Sequence, residues 1–102
     1  MTFHIRIALF LLTLLLAGLY SSGQPAEVRV KDGKTGQTVP FAHVCFQPLN
    51  GDSQQHAITS EKGTAPNLAK TRSVVAISYV GYETLFDTIN PGVSVTLSLK
   101  PK

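Results

Sequence analysis

The sequence predicts an all-β fold, a small β-sandwich of six to seven strands in an antiparallel or mixed Greek-key arrangement. Past Gly23, apolar and polar residues alternate in short runs, as they do in strands with one buried and one solvated face. Gly, Pro, Asn and Asp separate these runs and are typical of turns. No segment past Gly23 shows the helical period of apolar residues. Short strands at this spacing within one domain favour a sandwich.

The first 23 residues are predicted to be a secretory signal peptide and not part of that domain. Arg6 precedes an apolar run over 7–20, and the small or polar segment 21–23 follows it, which is the pattern of a cleavable export signal. The alternative is an uncleaved membrane anchor, but the run is shorter than the roughly 20 residues that span a bilayer. Cleavage after Gly23 would leave 24–102 as an exported domain that does not span the membrane.

Seven candidate strands, each bounded by a turn, follow one another through residues 24–102. They are Glu27–Lys31, Val39–Gln47, His56–Ser60, Thr64–Leu68, Ser73–Val80, Tyr82–Ile89 and Val93–Leu99. In the first strand, Val28 and Val30 point to one face while charged residues point to the other. In the second strand, successive side chains alternate between the two faces along its whole length. The third is short and centred on Ala57 and Ile58.

The last four strands differ in how much of each is expected to be buried. The fourth contains Pro66, which has no amide proton to donate and therefore confines the strand to a sheet edge. The fifth contains the apolar run 74–77, which is expected of a strand buried on both faces. Gly81 separates the fifth strand from the sixth. A turn at 90–92 precedes the seventh, whose apolar residues recur at every second position.

The alternation also predicts which side chains fill the space between two sheets, whose apolar faces would lie about 10 Å apart. The predicted core residues are Val28, Val30, Ala42, Val44, Phe46, Ile58, Leu68, Val75, Ile77, Leu85, Ile89, Val95 and Leu97. Cys45 is the single cysteine of the chain, so no internal disulfide forms. Burial of these side chains must therefore stabilise the domain by itself.

The formal net charge of +3 arises from basic residues that are scattered along the chain. Arg29 and Lys31 alternate on one face of the first strand, and no segment interleaves Arg or Lys with aromatic residues. A nucleic-acid-binding surface needs a denser basic stripe. The charges are therefore interpreted as a solvated surface, and no nucleic-acid partner is predicted.

The sequence contains no convincing catalytic or metal-binding set. Cys45 and His43 share one face of the second strand, but no acid is placed beside them, and a free cysteine on a strand is more typical of packing than of a nucleophile. His43, Cys45 and His56 are the candidate metal ligands, and they form no short paired motif beyond His43-x-Cys45. No glycine-rich phosphate loop is present. We therefore predict no catalytic residue, no bound metal and no cofactor.

Four short elements between Val28 and Thr84 carry a family resemblance that covers about residues 26–99. They are Val28–Asp32 with Thr35-Gly36, Val39–Val44, Ile58–Gly63, and Ile77–Thr84. Together they resemble the carboxypeptidase regulatory-like domain, a transthyretin-like β-sandwich at the N-terminus of many exported and outer-membrane proteins of Bacteroidetes. The positions that match its motifs are Asp32, Gly36, Pro40, Gly63, Ser78, Tyr79, Gly81, Tyr82 and Glu83. The resemblance implies that these residues have structural roles.

The resemblance also implies a function and a location. We expect a non-catalytic accessory or interaction module of the bacterial cell envelope, exported to the periplasm or associated with the outer membrane. Its expected partner is an envelope protein or an outer-membrane receptor, which an exposed strand edge would bind by β-augmentation. One alternative is the truncated N-terminal domain of a TonB-dependent nutrient receptor. The other is a carbohydrate-binding module that uses Tyr79, Tyr82 or Phe86.

Overall fold

The computed structural model describes residues 25–102, so the predicted signal peptide lies outside the described residues. This part of the chain contains seven strands and no helix, which confirms the predicted all-β fold. The strands are β1 (Glu27–Asp32), β2 (His43–Pro48), β3 (Gln55–Ile58), β4 (Thr64–Pro66), β5 (Ser73–Ser78), β6 (Leu85–Ile89) and β7 (Val95–Leu99). Because no helix occurs in residues 25–102, none of these residues forms a helical membrane span.

The seven strands form two sheets that pack as a sandwich. The three-stranded sheet has the order β4-β1-β7 and the four-stranded sheet the order β3-β2-β5-β6. All pairs are antiparallel except β1 with β7, which is parallel. The chain crosses between the sheets after β1, β3, β4 and β6, so neither sheet is built from a continuous stretch of sequence. The predicted edge position of the strand that contains Pro66 is confirmed.

Three predicted strands begin later in the structure than their alternation indicated. One of them is β7, which begins at Val95 and not at Val93. β2 begins at His43 and not at Val39, because a turn at Pro40 and Phe41 interrupts it. Phe41 has a φ of +62°, which is incompatible with a regular strand. β6 begins at Leu85 and not at Tyr82, because residues 79–83 form a turn and pair with the C-terminal segment.

The core contains apolar side chains from the inner faces of both sheets. Its buried members are Val28, Val30, Val39, Ala42, Val44, Phe46, Ala65, Ala69, Val75, Ile77, Ile89 and Leu99. Of the other predicted core residues, Leu68, Leu85, Val95 and Leu97 are partly buried against this cluster. Phe46 and Ile77 are among the largest side chains that are fully enclosed. Burial of this apolar surface is the main source of stability for a domain of this kind.

Two predictions about burial were wrong. Ile58 is 64% exposed, because it is paired with His43 on the outer face of the four-stranded sheet, and its neighbour Ala57 turns inward instead. The prediction that residues 74–77 are buried on both faces of their strand was also wrong. Val75 and Ile77 are buried, but the alternate residues in β5 are only half-buried, because no other layer within residues 25–102 covers the outer face of this sheet.

Candidate functional site

Residues 79–83, here called the corner, link β5 to β6 and contain the most specific part of the family resemblance. The backbone N–H of Tyr82 donates to the carbonyl of Tyr79 at 3.1 Å, which closes a tight turn. Gly81 has a φ of +91°, a conformation that glycine adopts without the steric penalty of a side chain. Ser78 precedes the corner at the end of β5 and is half-buried. The glycine therefore allows the chain to reverse directly after this strand.

The corner is joined to the end of β1 by a hydrogen bond between two side chains. The Tyr82 hydroxyl donates to Asp32 Oδ2 at 2.7 Å. Asp32 Oδ1 accepts from the backbone N–H groups of Lys34 and Thr35 at 2.7 and 2.9 Å, and the Asp32 carbonyl accepts from the N–H of Gly36 at 2.8 Å. One aspartate therefore organises the turn after β1 and binds the corner.

These hydrogen bonds shift the acidity of both side chains. The Tyr82 hydroxyl first, and then the N–H groups of Thr35 and Lys34, lower the pKa of Asp32 below its ordinary value of 3.8, because they stabilise the charged carboxylate. The same bond, followed by partial burial of the ring, raises the pKa of Tyr82 above its ordinary value of 10.0. The pair is therefore a neutral phenol bonded to a carboxylate over a wide range of pH.

The corner is also bonded to the segment that follows β7. The N–H of Glu83 donates to the carbonyl of Lys100 at 2.8 Å, and the N–H of Lys102 donates to the carbonyl of Gly81 at 2.9 Å. The corner belongs to the connection between two strands of the four-stranded sheet, whereas β1 and β7 belong to the other sheet. It is therefore a junction between the two sheets, and its contacts are structural.

A second junction between the sheets, here called the clamp, is formed by Val39–Ala42, Thr59 and Gly63. The Thr59 side chain is buried, and its hydroxyl accepts from the N–H of Ala42 at 2.8 Å and donates to the carbonyl of Val39 at 2.9 Å. The N–H of Phe41 donates to the carbonyl of Thr59 at 2.9 Å. One hydroxyl thus satisfies two buried backbone groups in the turn that precedes β2.

Gly63 brings the clamp against β1. It has a φ of +75°, and a Cβ atom at this position would lie 2.7 Å from the Cβ of Thr38 and 3.1 Å from the carbonyl oxygen of Val30. The carbonyl of Gly63 accepts from the N–H of Val30 at 2.9 Å. The backbone approaches so closely here that no side chain fits. Pro40 lies in the turn of the same clamp.

The positions that carry the family resemblance are distributed over these two junctions and do not form one site. Most lie at the corner or in the turn bonded to it, while Pro40 and Gly63 lie at the clamp. Thr59, which has more buried polar contacts than any of them, was not among the predicted positions. The signal that indicates it is its place four residues before Gly63 in the Thr-x-x-x-Gly element.

The candidate catalytic pair is not assembled in the structure. The Cys45 thiol is buried and lies 3.7 Å from Gln54 Oε1 and 4.0 Å from Gln47 Nε2. The imidazole of His43 is hydrogen-bonded instead to that of His56. Within residues 25–102, no group of three or more His, Cys, Asp and Glu side chains is arranged to hold a metal ion.

The three aromatic residues proposed for carbohydrate binding occupy two different surfaces. Tyr79 and Tyr82 are neighbours in the corner, with ring centroids 6.1 Å apart, and the hydroxyl of Tyr82 is already bonded to Asp32. Phe86 is exposed on β6 and is paired with Ala76 on the outer face of the four-stranded sheet. The three rings therefore lie on two separate surfaces, and a carbohydrate site at either surface stays a prediction.

The outer faces of the two sheets differ in charge. The outer face of the three-stranded sheet carries acidic and basic side chains on β1, namely Glu27, Arg29 and Lys31. The outer face of the four-stranded sheet has no Asp, Glu, Lys or Arg. We call it the uncharged face; its members are His43, Cys45, Gln47, His56, Ile58, Val74, Ala76, Ser78, Phe86 and Thr88.

Comparison with known proteins does not assign the chain to a family. No protein-family model matches it, and no curated protein has a significantly similar sequence.

Proposed function

We propose that this protein is an exported, non-catalytic interaction module of the bacterial cell envelope, related to the carboxypeptidase regulatory-like domains. Its partner would be an envelope protein, such as an outer-membrane receptor, that supplies an extended segment. The segment would add to the free edge of β7 as a further strand. The open edge of β7 is the observation that carries this proposal, and the sequence resemblance supports the cellular setting.

The free edges of the three-stranded sheet differ in how well they are protected against strand addition. β4 is three residues long and contains Pro66, and short strands and prolines are common ways to block an edge. β7 is five residues long, from Val95 to Leu99, and contains neither a charge nor a proline. Its recorded partner within residues 25–102 is β1. The side of β7 away from β1 therefore offers backbone donors and acceptors to an incoming strand.

A groove lies over the paired strands β1 and β7, one strand in from the free edge of β7. It has a volume of about 610 Å³ and is lined by Pro25, Glu27, Arg29, Ser94, Val95 and Thr96. Glu27 and Arg29 lie on β1, so long side chains of an added strand would reach them across the outer face of β7. Main-chain hydrogen bonds would supply the affinity, and alternate side chains of the partner would supply the specificity. The groove has both acidic and basic walls, so it fits a polar or zwitterionic segment.

The test combines native size with a pair of matched variants. The full-length gene product is purified from envelope extract of cells that produce it, separated by native chromatography, and its companions are identified by mass spectrometry. Thr96→Lys places an ammonium group on the β7 edge, whereas Thr88→Lys places one on the β6 edge, and both threonines are exposed. Lysine on an edge strand opposes strand addition.

The proposal expects a stoichiometric companion with the wild type and with Thr88→Lys, and its loss with Thr96→Lys. Recovery of the protein as a lone monomer would overturn the proposal. A companion retained equally by all three proteins would overturn the assignment of β7 as the binding edge. Circular dichroism of both variants provides the control that the sandwich is intact.

A further inference from the structure

The uncharged face carries two histidines that the sequence alone does not place together. In the pairing of β2 with β3, Cys45 lies directly opposite His56, and His43 lies opposite Ile58. His43 is therefore the diagonal neighbour of His56 on the same face, within reach of a side chain of this length. His43 is two residues from Cys45 on one strand, which puts all three side chains on one side of the sheet.

The two imidazoles meet through their ring nitrogens. Nε2 of His43 lies 3.0 Å from Nδ1 of His56, while the ring centroids are 5.1 Å apart and the ring planes differ by 18°. Because the nitrogens are much closer than the centroids, the rings meet edge to edge, as in an N–H···N hydrogen bond, and do not overlap face to face. Such a bond requires one nitrogen to donate and the other to offer its lone pair.

This separation suits two ligands of one metal ion. Imidazole nitrogens lie about 2.0–2.1 Å from a bound divalent transition metal, so two of them at a right angle are about 2.9 Å apart, and two at a tetrahedral angle about 3.3 Å. The observed 3.0 Å is closer to the right angle. Right-angled nitrogen ligands are typical of square-planar and tetragonal copper(II) and nickel(II), and copper(II) and nickel(II) rank high in affinity for such sites.

The surroundings permit an ion to enter. Both histidines are exposed, and the uncharged face contains no ammonium or guanidinium group that would repel a cation or cover the rings. The torsion between an imidazole ring and its Cβ has a broad energy minimum, so both rings can turn until their lone pairs converge. When a metal binds, the proton shared in the hydrogen bond moves to the other nitrogen of the donor ring. Neutral imidazoles therefore release no proton on binding.

The geometry points to a surface site for a divalent copper- or nickel-type ion that is held by His43 and His56, with the remaining coordination positions left to water. Cys45 is not assigned as a ligand, because its sulfur is buried and directed toward Gln54. The site is independent of the β7 edge, which belongs to the other sheet. A two-ligand site of this kind exchanges its metal readily and leaves positions open for a third molecule.

Nickel(II) chloride is the best probe, because nickel does not oxidise the thiol as copper can. The full-length protein as isolated from cells is titrated with Ni²⁺ by isothermal calorimetry. The test variants are His43→Ala, His56→Ala and the double variant. Cys45→Ser and Gln47→Ala are matched controls on the same face of the same strand, because each keeps both imidazoles.

We expect the wild type to bind one Ni²⁺ per chain. Each single-histidine variant should bind Ni²⁺ with an affinity lower by about tenfold or more, and the double variant should lose the saturable site. The two controls should bind as the wild type does. Six-coordinate Ni²⁺, with water in its remaining coordination positions, is paramagnetic. The ring protons of both histidines should therefore broaden in NMR spectra when Ni²⁺ is added. Binding should also weaken in acid, because protons compete with the metal for imidazole nitrogens.

Three results would overturn the inference: no saturable binding by the wild type, unchanged binding in the double variant, or a loss caused by Cys45→Ser and not by the histidine substitutions. The second of these would identify a site elsewhere in the chain. Because both histidines are exposed, their replacement is not expected to unfold the protein, and circular dichroism of each variant verifies this.

Discussion

The clamp and the corner both connect the three-stranded sheet to the four-stranded sheet, but they do so with different physical means. At the clamp, the hydroxyl of Thr59 is buried and bonded to two backbone groups, and Gly63 lies where no side chain fits. At the corner, the key bond joins two half-buried side chains, and the space around Gly81 is open, with no heavy atom within 4 Å of a Cβ built there.

The difference teaches that a readily recognised motif need not be the most stabilising contact. The corner contains four of the positions that carry the sequence resemblance, yet its bond is only partly shielded from water. The clamp contains an inconspicuous threonine, yet its bonds are made where water cannot replace them. An unsatisfied buried group costs more than an exposed one, so the clamp is expected to dominate the stability of the junctions.

Replacing the two junction glycines provides the largest expected effect. Both have positive φ, +75° at Gly63 and +91° at Gly81, so each alanine variant should lose about 1–2 kcal/mol from backbone strain alone. Gly63→Ala should lose about 1–3 kcal/mol more, because its Cβ would lie 3.1 Å from the backbone oxygen of Val30. Denaturant unfolding of both variants measures this difference. Equal losses would show that the clamp is not sterically tight.

Removing one hydroxyl from each junction provides the next comparison. Thr59→Val keeps the shape of the side chain but leaves the N–H of Ala42 and the carbonyl of Val39 without their partner. The free energy of unfolding should fall by about 1–3 kcal/mol. Thr88→Val is the control, because that threonine is exposed. A loss no greater than that of the control would contradict the structural role assigned to Thr59.

Tyr82→Phe removes the hydroxyl of the corner and should destabilise the protein less than Thr59→Val, because its bond is only half-buried and Asp32 can bind water instead. Asp32 has a lowered pKa, so its contribution to the stability of the fold is present above pH 3.8 and is lost as the pH falls through the folded-state pKa. Tyr82 has a raised pKa, so its contribution to the stability of the fold is present below pH 10.0 and is lost as the pH rises through the folded-state pKa. Melting temperatures of the wild type and the variant should therefore differ most between these limits and converge at both extremes. A constant difference across pH would refute this assignment.

Combining Thr59→Val with Tyr82→Phe tests whether the junctions act independently, and here the smallest effect is expected. The two hydroxyls share no bonding partner, so their losses should add within about 0.5 kcal/mol. A double-mutant cycle by urea unfolding measures the coupling. A clearly larger coupling would mean that the sheets respond as one unit when either junction is weakened.

The local pattern of apolar and polar residues predicted much of this fold. The side chains of a strand alternate between its two faces with a period of two, and this does not depend on which strands are its neighbours. Val28, Val30, Val44, Phe46 and Val75 were placed in the core on that basis and are buried. The turn at 90–92 was also predicted, because glycine, proline and asparagine favour turn conformations through local sterics. The turn at Pro40 and Phe41, in contrast, was not predicted.

Other features depended on which strands became neighbours. Ile58 is as apolar as a core residue, but its pairing with His43 places it on the outer face. The role of Thr59 depends on a turn that lies 20 residues earlier at Val39. The partnership of Asp32 with Tyr82 spans 50 residues. Alternation assigns each residue to a side of its own strand, and it does not say which residue of another strand will face it.

By itself, then, the sequence determined that this domain is a small all-β sandwich, where most strands lie, and which of their faces is apolar, because these properties follow from local periodicity and turn chemistry. The tertiary structure alone decided the order of strands in the two sheets, the enclosure of the Thr59 hydroxyl and the meeting of His43 with His56. These depend on the register between strands distant in sequence, which is selected by the packing of the whole core.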